Sequence, residues 1–384
     1  MNLTDSDLLM IENLTYMNQK TRTIIPGLQD IRSYASLEEY LAVFDENALN
    51  LLEAQGDHIL NAGESSGSEL AAMLRYMKDR DNIKALRLLN APINKQGHPF
   101  ALVFQDPIDP GSLLVAFHGT VDPEEWKDNA LGLYQSDTNA QVEALQFINS
   151  LPSKDITVIG HSKGGNKAQY VSILSPKVTR GVSFDSQGFS REFLRNYADK
   201  ISQNGHTIKS YSLSTDFVHP LLSKLPGVKQ LYVYGGPDVT DIAQHHSANS
   251  FFEYYKDEKG HTNVIRTKDG SAYFPMAEES SSAKILHRFS EYIEANASES
   301  DKKLIGELVG DVLSSKATLG RGNGETGTEL LKRLVKNPKE LGTLLAYVLK
   351  YVDAYGPTNK EVGNLMKGLG LLELERMLEL WESA

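Results

Sequence analysis

Residues 155–174 constrain the fold of this chain more than any other segment. They read DITVIGHSKGGNKAQYVSIL, an apolar β-branched run followed by a Gly-x-Ser-x-Gly turn and a stretch without proline. A strand, a sharp turn and a helix in this order are typical of a nucleophile elbow. Gly160 and Gly164 are small enough to let Ser162 occupy a strained turn with an exposed hydroxyl. The amide of Lys163 would then lie at a helix N-terminus, facing a developing oxyanion.

A second copy of the same motif, GESSG at 63–67, shows that the bare pattern is weak evidence in a chain with 30 glycines. No β-branched run precedes this copy, and its polar surroundings predict a loop. Context therefore selects Ser162 over Ser65 as the nucleophile, with an ordinary turn serine as the alternative reading of Ser162.

Short apolar runs alternate with helical periodicity from Phe100 onward. Strands are predicted over 100–104, 112–120, 155–160, 181–185, 207–214 and 230–234. Alternating strands and helices predict an α/β fold with a mostly parallel central sheet. The Asp269-Gly270 pair within 264–274 predicts a hairpin.

The two ends of the chain are predicted to be helical. Residues 1–87 carry acidic amphipathic stretches, and no strand signal remains after about Ser280. Leucines and valines recur at helical spacing between Pro338, a helix start, and Gly356, a helix end. We therefore predict one domain at 1–280 and a helical C-terminal region at 281–384, whose leucines form a bundle core.

Composition excludes several classes of function. The net charge is −11, with 50 acidic against 39 basic residues, so the chain lacks the basic character that nucleic-acid binding requires. The absence of cysteine rules out a thiolate nucleophile and thiolate metal ligands. The first twenty residues lack the basic and apolar segments of a Sec signal peptide, and no apolar run approaches 18 residues. We expect a cytoplasmic protein, or one secreted without a Sec signal.

A serine nucleophile needs a histidine as general base and a carboxylate to orient it. Two acids follow predicted strands downstream of Ser162, namely Asp185 and Asp216. Asp216 stands directly after the strand at 207–214 and is the stronger candidate, with a turn-capping role as its alternative.

Six histidines follow the candidate nucleophile: His206, His219, His245, His246, His261 and His287. His246 lies after the strand at 230–234, and the adjacent His245 remains an alternative on position alone. His219 and His287 are predicted to be ordinary surface or half-buried residues.

Four sequence blocks now stand in a recognisable order. They are VAFHGT at 115–120 with Trp126 beyond it, GHSKGG at 160–165, DFVHP at 216–220 and HHSANSFF at 245–252. In this order they resemble the landmarks of the class 3 (fungal-type) lipases, and of a related family of lipase-like proteins in Gram-positive bacteria. The resemblance covers about residues 90–255 and implies an α/β-hydrolase fold.

The resemblance also implies a role for each block. The first supplies an oxyanion donor, which maps onto Thr120, and the second holds the nucleophile Ser162 followed by the donor Lys163. The third carries the triad acid, which maps onto Asp216. In the last block aromatic residues stand five and six positions after the base, which favours His246 over His245.

Two positions depart from the pattern. His118 stands where the family usually has arginine, and Asn129 stands where an aspartate usually follows the Trp126 turn. The two changes together are consistent with the loss of one ion pair behind the oxyanion loop.

The resemblance implies a carboxylic ester hydrolase of the lipase or phospholipase type, which uses a Ser-His-Asp triad and needs no metal or cofactor. Its substrate would be a lipid or another acyl ester, and the C-terminal helices could bind a protein partner. One alternative is an antibacterial lipase toxin exported by a type VII system, with residues 281–384 as its targeting region. Another is a catalytically silent binding protein on a hydrolase fold. A peptidase or thioesterase is also compatible with the triad.

Overall fold

A computed structural model describes residues 1–17, 19–61, 65–93, 100–120, 132, 135–236, 246–308 and 337–368. Its ten strands are β1 (Arg87–Asn90), β2 (Ala101–Gln105), β3 (Ser112–Phe117), β4 (Asp155–His161), β5 (Val178–Phe184), β6 (Ile208–Leu213), β7 (Lys229–Val233), β8 (Tyr254–Lys256), β9 (Thr262–Val264) and β10 (Met276–Ala277). Eight of these strands form one sheet in the order β1-β2-β3-β4-β5-β6-β7-β10. The central run from β3 to β7 is parallel, while β1, β2 and β10 pair antiparallel at the two edges.

Helices occupy both ends of the described chain and the connections between the parallel strands. Before the sheet lie α1 (Asp5–Asn13), α2 (Gln19–Ile24), α3 (Leu37–Ala42), α4 (Glu46–Glu53), α5 (Gly67–Lys78) and α6 (Asp81–Lys84). Between the strands lie α7 (Asn139–Ser150), α8 (Lys163–Leu174), α9 (Arg191–Asn196) and α10 (Ala198–Asn204). After the sheet lie α11 (Ser281–Asn296), a helical segment over 299–308, α12 (Pro338–Tyr355) and α13 (Asn359–Gly368). Single 3-10 turns occur at Leu14–Tyr16, Ile31–Ser33, Gly205–Thr207 and Ala248–Phe251.

The two faces of the sheet are buried under different helices. Because successive side chains of a strand point to opposite faces, Leu114 joins the apolar cluster under α1 and α5, whereas Val115 joins the cluster under α7 and α8. Strands buried on both faces read as continuous apolar runs, and β3 is buried along its whole length. The mixed α/β architecture with a mostly parallel sheet agrees with the prediction from the sequence.

The six predicted strands are all present, with ends that differ by a few residues. The predicted hairpin at 264–274 is present in a short form, in which the Asp269-Gly270 turn follows an antiparallel bridge between Arg266 and Ala272. The Thr267 amide donates to the Ser271 carbonyl at 2.9 Å, and the Tyr273 amide donates to the Ile265 carbonyl at 2.9 Å. The neighbouring pair of strands, β8 and β9, meets across Gly260 and was not predicted.

The C-terminal helices bury a third apolar cluster of their own, built from α11, the 299–308 segment, α12 and α13. The predicted helix from Pro338 to Gly356 is present as α12, and Gly356 ends it in the left-handed conformation. None of the helices in the described ranges combines the length and hydropathy needed to cross a bilayer.

The predicted domain boundary at residue 280 remains a proposal. The contacts that α11 makes with the preceding domain are relevant to it. The Ser290 hydroxyl accepts a hydrogen bond from the Leu222 amide at 2.7 Å, and Glu294 accepts one from the Ser223 hydroxyl at 3.0 Å. Helix α11 is therefore fastened to the loop that follows β6.

A truncated chain of residues 1–280 should still fold, because the whole sheet and its two apolar faces precede residue 280. We expect a lower melting temperature than for the full chain, since the bonds from Ser290 and Glu294 are lost and buried partners then lack hydrogen bonds. Circular dichroism during heating of both proteins measures this. An insoluble 1–280 product beside a soluble full-length control would contradict the proposed boundary.

Candidate active site

Ser162 lies between the end of β4 and the start of α8 in a strained conformation, with φ 57° and ψ −125°. A positive φ at a non-glycine residue is uncommon and indicates a constrained turn. The two flanking glycines permit it by close approach. A Cβ on Gly160 would collide with the Gly164 backbone, and one on Gly164 would collide with the Phe117 carbonyl at the end of β3. The predicted elbow is therefore present, and its glycines are needed for space.

Three predicted side chains meet above this turn. The Ser162 hydroxyl lies 2.8 Å from His246 Nε2, and His246 Nδ1 lies 2.7 Å from Asp216 Oδ1. When Nδ1–H donates to the carboxylate, Nε2 is left as the acceptor for the serine hydroxyl. This is the geometry of a nucleophile, a base and an orienting acid. The alternative base, His245, lies outside the described residues, as do Trp126 and Asn129.

The site is more enclosed than the sequence predicted. Ser162 is only 6% exposed, whereas we expected an exposed hydroxyl. One reason is that the His246 imidazole is hydrogen bonded to the hydroxyl and is itself flanked by two rings. The His161 ring lies 4.8 Å from it and the Phe217 ring 5.5 Å, measured between centroids. Packing on both sides holds the imidazole in its hydrogen-bonding orientation.

The two predicted oxyanion donors lie in chain segments that adjoin the elbow. Thr120 follows β3 by three residues, and Lys163 is the first residue of α8. A helix N-terminus presents unpaired amides and a partial positive charge, both suited to an oxyanion. Gly119, before Thr120, lies so close to Tyr16 that a Cβ there would collide with the tyrosine hydroxyl.

His118, which stands where the lipases that this chain resembles usually have arginine, contacts its neighbours through its ring and its carbonyl. Its Nδ1 lies 2.8 Å from the Gly119 carbonyl oxygen, and its ring packs edge-on against Tyr16 with centroids 4.7 Å apart. The Lys167 ammonium group donates to the His118 carbonyl at 3.2 Å. The segment before Thr120 is thus held by ring contacts with Tyr16 and by a buried lysine.

The Asp216 carboxylate is surrounded by hydrogen-bond donors. Asp216 Oδ2 accepts hydrogen bonds from the amides of Val218 at 3.0 Å and His219 at 2.7 Å, and its neighbour His219 Nδ1 stands at 3.2 Å. Burial alone would raise the pKa of Asp216, but the charges and hydrogen bonds of His246 and His219 hold that pKa well below its ordinary value. The carboxylate therefore stays ionised although it is fully buried.

The other candidate acid, Asp185, has a pKa shifted in the opposite direction. Burial, and next the charge of Asp216, raise the pKa of Asp185 well above its usual range, which favours the neutral form. Its Oδ1 accepts from the Leu213 amide at 2.7 Å, and its Oδ2 lies 3.9 Å from His161 Nε2. The structure therefore brings Asp216, and not Asp185, to the His246 imidazole.

Sequence reasoning missed two contributions to this site. His219 was predicted to be an ordinary surface or half-buried residue, but it is buried and stands beside Asp216. Its position three residues after the acid was the only signal available. The other is Tyr16, whose hydroxyl is hydrogen bonded to His161 Nδ1 at 3.0 Å across 145 residues of chain, a separation that hides the contact from the sequence.

A buried carboxyl lies below the elbow on helix α1. Burial raises the pKa of Glu12 to about 8, although bonds with the His161 backbone and the Thr15 hydroxyl lower it in part. Its Oε2 has no hydrogen-bond partner among the described residues. Glu12 therefore carries a proton in the folded protein at neutral pH.

Replacing Glu12 by glutamine should stabilise the protein at alkaline pH. Because the folded-state pKa lies above the unfolded value, stability falls as pH rises from about 4.5 to about 8, and the neutral amide removes this loss. We expect Glu12→Gln to gain about 1–3 kcal/mol near pH 8.5 and little near pH 5. Urea unfolding at both pH values measures it, and an equal effect at the two would contradict the assignment.

Two groups of side chains place imidazole nitrogens and carboxylate oxygens within 4.8 Å of one another, as a metal site would. They are His161, Asp185 and His246, and Asp185, Asp216 and His219. Hydrogen bonds already engage both nitrogens of His246 and both oxygens of Asp216. The rings of His161 and His246 are also inclined by only 36° at 4.8 Å, so their in-plane lone pairs do not converge on one ion. The hydrogen bonds of His246 and Asp216 therefore explain why these side chains lie close together.

Comparison with known families gives one match, over part of the chain. A sequence model of the Mbeg1-like family, which is lipase-like, matches residues 81–222. The matched segment runs from α6 to the loop after β6, so it holds Thr120, Ser162, Lys163 and Asp216 but ends before His246. A search of curated proteins finds no significant match. Over residues 81–222, the chain is similar to a lipase-like family.

Proposed function

We propose that this protein is a serine hydrolase of carboxylic esters, with an α/β-hydrolase fold and a lipid ester as its substrate. One observation carries the proposal. The Ser162 hydroxyl, both nitrogens of His246 and the Asp216 carboxylate lie in one hydrogen-bonded line with separations of 2.8 and 2.7 Å. An unbroken line of this kind activates a hydroxyl that is otherwise a weak nucleophile.

The reaction follows from the geometry. Ser162 Oγ attacks the ester carbonyl carbon while its proton passes to His246 Nε2, and Asp216 stabilises the imidazolium that forms. The amides of Thr120 and Lys163 bind the oxyanion of the tetrahedral intermediate. The intermediate then collapses, His246 returns the proton to the leaving alcohol, and an acyl-enzyme remains. Water attacks this ester by the same steps and releases the carboxylic acid with the free serine.

The substrate class rests on similarity rather than on the site. The match to a lipase-like family and the order of the four sequence blocks favour a glycerolipid or a phospholipid. A catalytically silent binding protein is less favoured, because a binding role needs neither the strained serine nor the ionised acid aligned with it.

Labelling with a fluorophosphonate probe, followed by a substrate panel, tests the proposal. The probe reacts with activated serines, so we expect one labelled site, at Ser162. The panel contains a phosphatidylcholine, a triacylglycerol, a short p-nitrophenyl ester, an acyl thioester and a peptide, with heat-denatured protein as control. Hydrolysis of the peptide alone would contradict an ester hydrolase, and the absence of both labelling and hydrolysis would contradict a hydrolase of any kind.

A further inference from the structure

The carboxylate of Asp216 contacts two imidazoles, whereas a catalytic triad requires only one. Oδ1 faces His246 Nδ1 at 2.7 Å, and Oδ2 faces His219 Nδ1 at 3.2 Å. His219 is 3% exposed, so it contacts no bulk solvent and cannot serve as a second base for substrate. Its contact with the proposed triad is made through Asp216.

The second imidazole begins a chain of buried and half-buried groups with alternating charge. His219 Nε2 lies 3.2 Å from Glu279 Oε1, and the Lys224 ammonium donates to the same Glu279 oxygen at 2.8 Å. Lys224 also donates to the Tyr232 hydroxyl at 2.7 Å. From Asp216 outward the formal charges are negative, positive, negative and positive when His219 is protonated. Each buried charge is thus paired, as burial requires.

The charges at both ends of His219 favour its protonated form. Burial lowers the pKa of His219, but its hydrogen bonds with Asp216 and Glu279 outweigh burial and raise that pKa above the ordinary value. Burial also raises the pKa of Glu279, yet the bonds from His219 and Lys224 bring it down to about 2. Both carboxylates therefore favour their ionised form, and their charges favour the protonated form of the imidazole between them.

The loop that carries the acid is held by α11 and by the segment just before it. Glu279 precedes this helix by two residues and reaches the loop through His219, while Ser290 accepts from the amide of Leu222, whose φ is 68°. A left-handed leucine is a strained feature that needs support from its surroundings. Two separate contacts thus fasten the loop that begins with Asp216.

We propose that His219 is a positioning residue: its ring, held by Glu279, fixes the Asp216 carboxylate so that Oδ1 stays aimed at His246. This inference rests on the proposed hydrolase function and adds a fourth residue to the site. His219 never touches substrate. It occupies one face of the carboxylate and leaves the other for the catalytic imidazole.

The imidazolium also compensates part of the negative charge that His246 experiences. The groups that face His219 are Asp216 on its own loop, Glu279 before α11, Tyr232 on β7 with ring centroids 5.6 Å apart, and Asp185 after β5. Lys224 and His287 interact electrostatically with Glu279. Removing the positive charge of His219 leaves the field of Asp216 uncompensated, which makes the base harder to deprotonate. The acid limb of the kcat/KM profile should therefore move to higher pH.

Four proteins test the proposal against the wild type: His219→Gln, Glu279→Gln, the double variant, and His206→Gln as the matched control at an exposed histidine. For His219→Gln we expect kcat on a p-nitrophenyl ester to fall about tenfold at pH 7 and the acid limb to rise by about half a pH unit. Glu279→Gln should shift the limb in the same direction by less. The double variant should match His219→Gln, because Glu279 acts through His219.

A purely structural role for His219 predicts a different result. The melting temperature would then fall while the pH profile of the surviving activity stayed in place, and that outcome overturns the proposal. If His219→Gln does not fold, the pH profile of Glu279→Gln tests the proposal instead. Strictly additive effects in the double variant would also overturn the coupling between the two residues. The proposed hydrolase function fails separately, namely if Ser162→Ala retains activity, and that result removes this inference as well.

Discussion

Ser162→Ala is expected to abolish ester hydrolysis, with a loss of about 10⁴–10⁶ in turnover, the range typical of a deleted nucleophile. The substitution removes the hydroxyl that we propose as the nucleophile, and no other described hydroxyl is hydrogen bonded to His246. Alanine adopts the φ of 57° no worse than serine does and is smaller, so the elbow should keep its shape. Initial rates on the best ester of the panel, together with fluorophosphonate labelling, measure the loss.

Ser65→Ala is the matched control, because it alters the other Gly-x-Ser-x-Gly serine. Ser65 is buried just before helix α5, whose N-cap is Ser66, and no histidine is hydrogen bonded to it among the described residues. Its substitution should leave hydrolysis unchanged. An inactive Ser65→Ala beside an active Ser162→Ala would reverse the choice between the two motifs.

The elbow was predictable because its determinants are local. A β-branched strand, two glycines and a helix without proline lie within twenty consecutive residues. Each of these segments adopts the conformation that its own residues favour. The parallel sheet was predictable for the same reason, since alternation of strand and helix is visible along the chain. The edge strands β1 and β10 were not predicted. They are short, and β10 has only two residues, so pairing with a neighbour rather than local sequence defines them.

The surroundings of Ser162, His246 and Asp216 were predictable only in part. The order of blocks along the chain favoured Asp216 and His246, but burial and charge around them depend on residues far apart in sequence. Glu279 lies 60 residues after His219, and Tyr16 lies 145 residues before His161. No periodicity or spacing reports such contacts, which is why His219 was predicted to be an ordinary residue.

Asp216 and Asp185 show how environment separates two carboxyls that look alike in sequence. Each follows a strand of the parallel sheet, and each is fully buried. Asp216 receives two amides and two imidazoles, which stabilise its charge, whereas Asp185 receives the Leu213 amide and lies near the charge of Asp216. One acid is therefore ionised while the other favours its proton, as expected when two carboxyls share one site.

Asp216→Asn is expected to lower kcat by about 10³–10⁴ at neutral pH, with the fold retained. The asparagine amide would donate to His246 Nδ1, so the imidazole proton would reside on Nε2. That nitrogen could then no longer accept the proton of Ser162. Asparagine has nearly the size of aspartate, and its oxygen can still accept from the amides of Val218 and His219. Rates on an ester substrate and a melting curve separate lost catalysis from lost stability.

Asp185→Asn is the matched control for this prediction. Its carboxyl favours the neutral form, and a neutral amide reproduces both the size and the charge of that form while still accepting from the Leu213 amide. We therefore expect turnover within about tenfold of the wild type. Because the pKa of Asp185 is raised on folding, the wild type loses stability as pH rises above the unfolded value, and Asp185→Asn should remove that loss. Large kcat losses confined to Asp185→Asn would transfer the orienting role from Asp216 to Asp185.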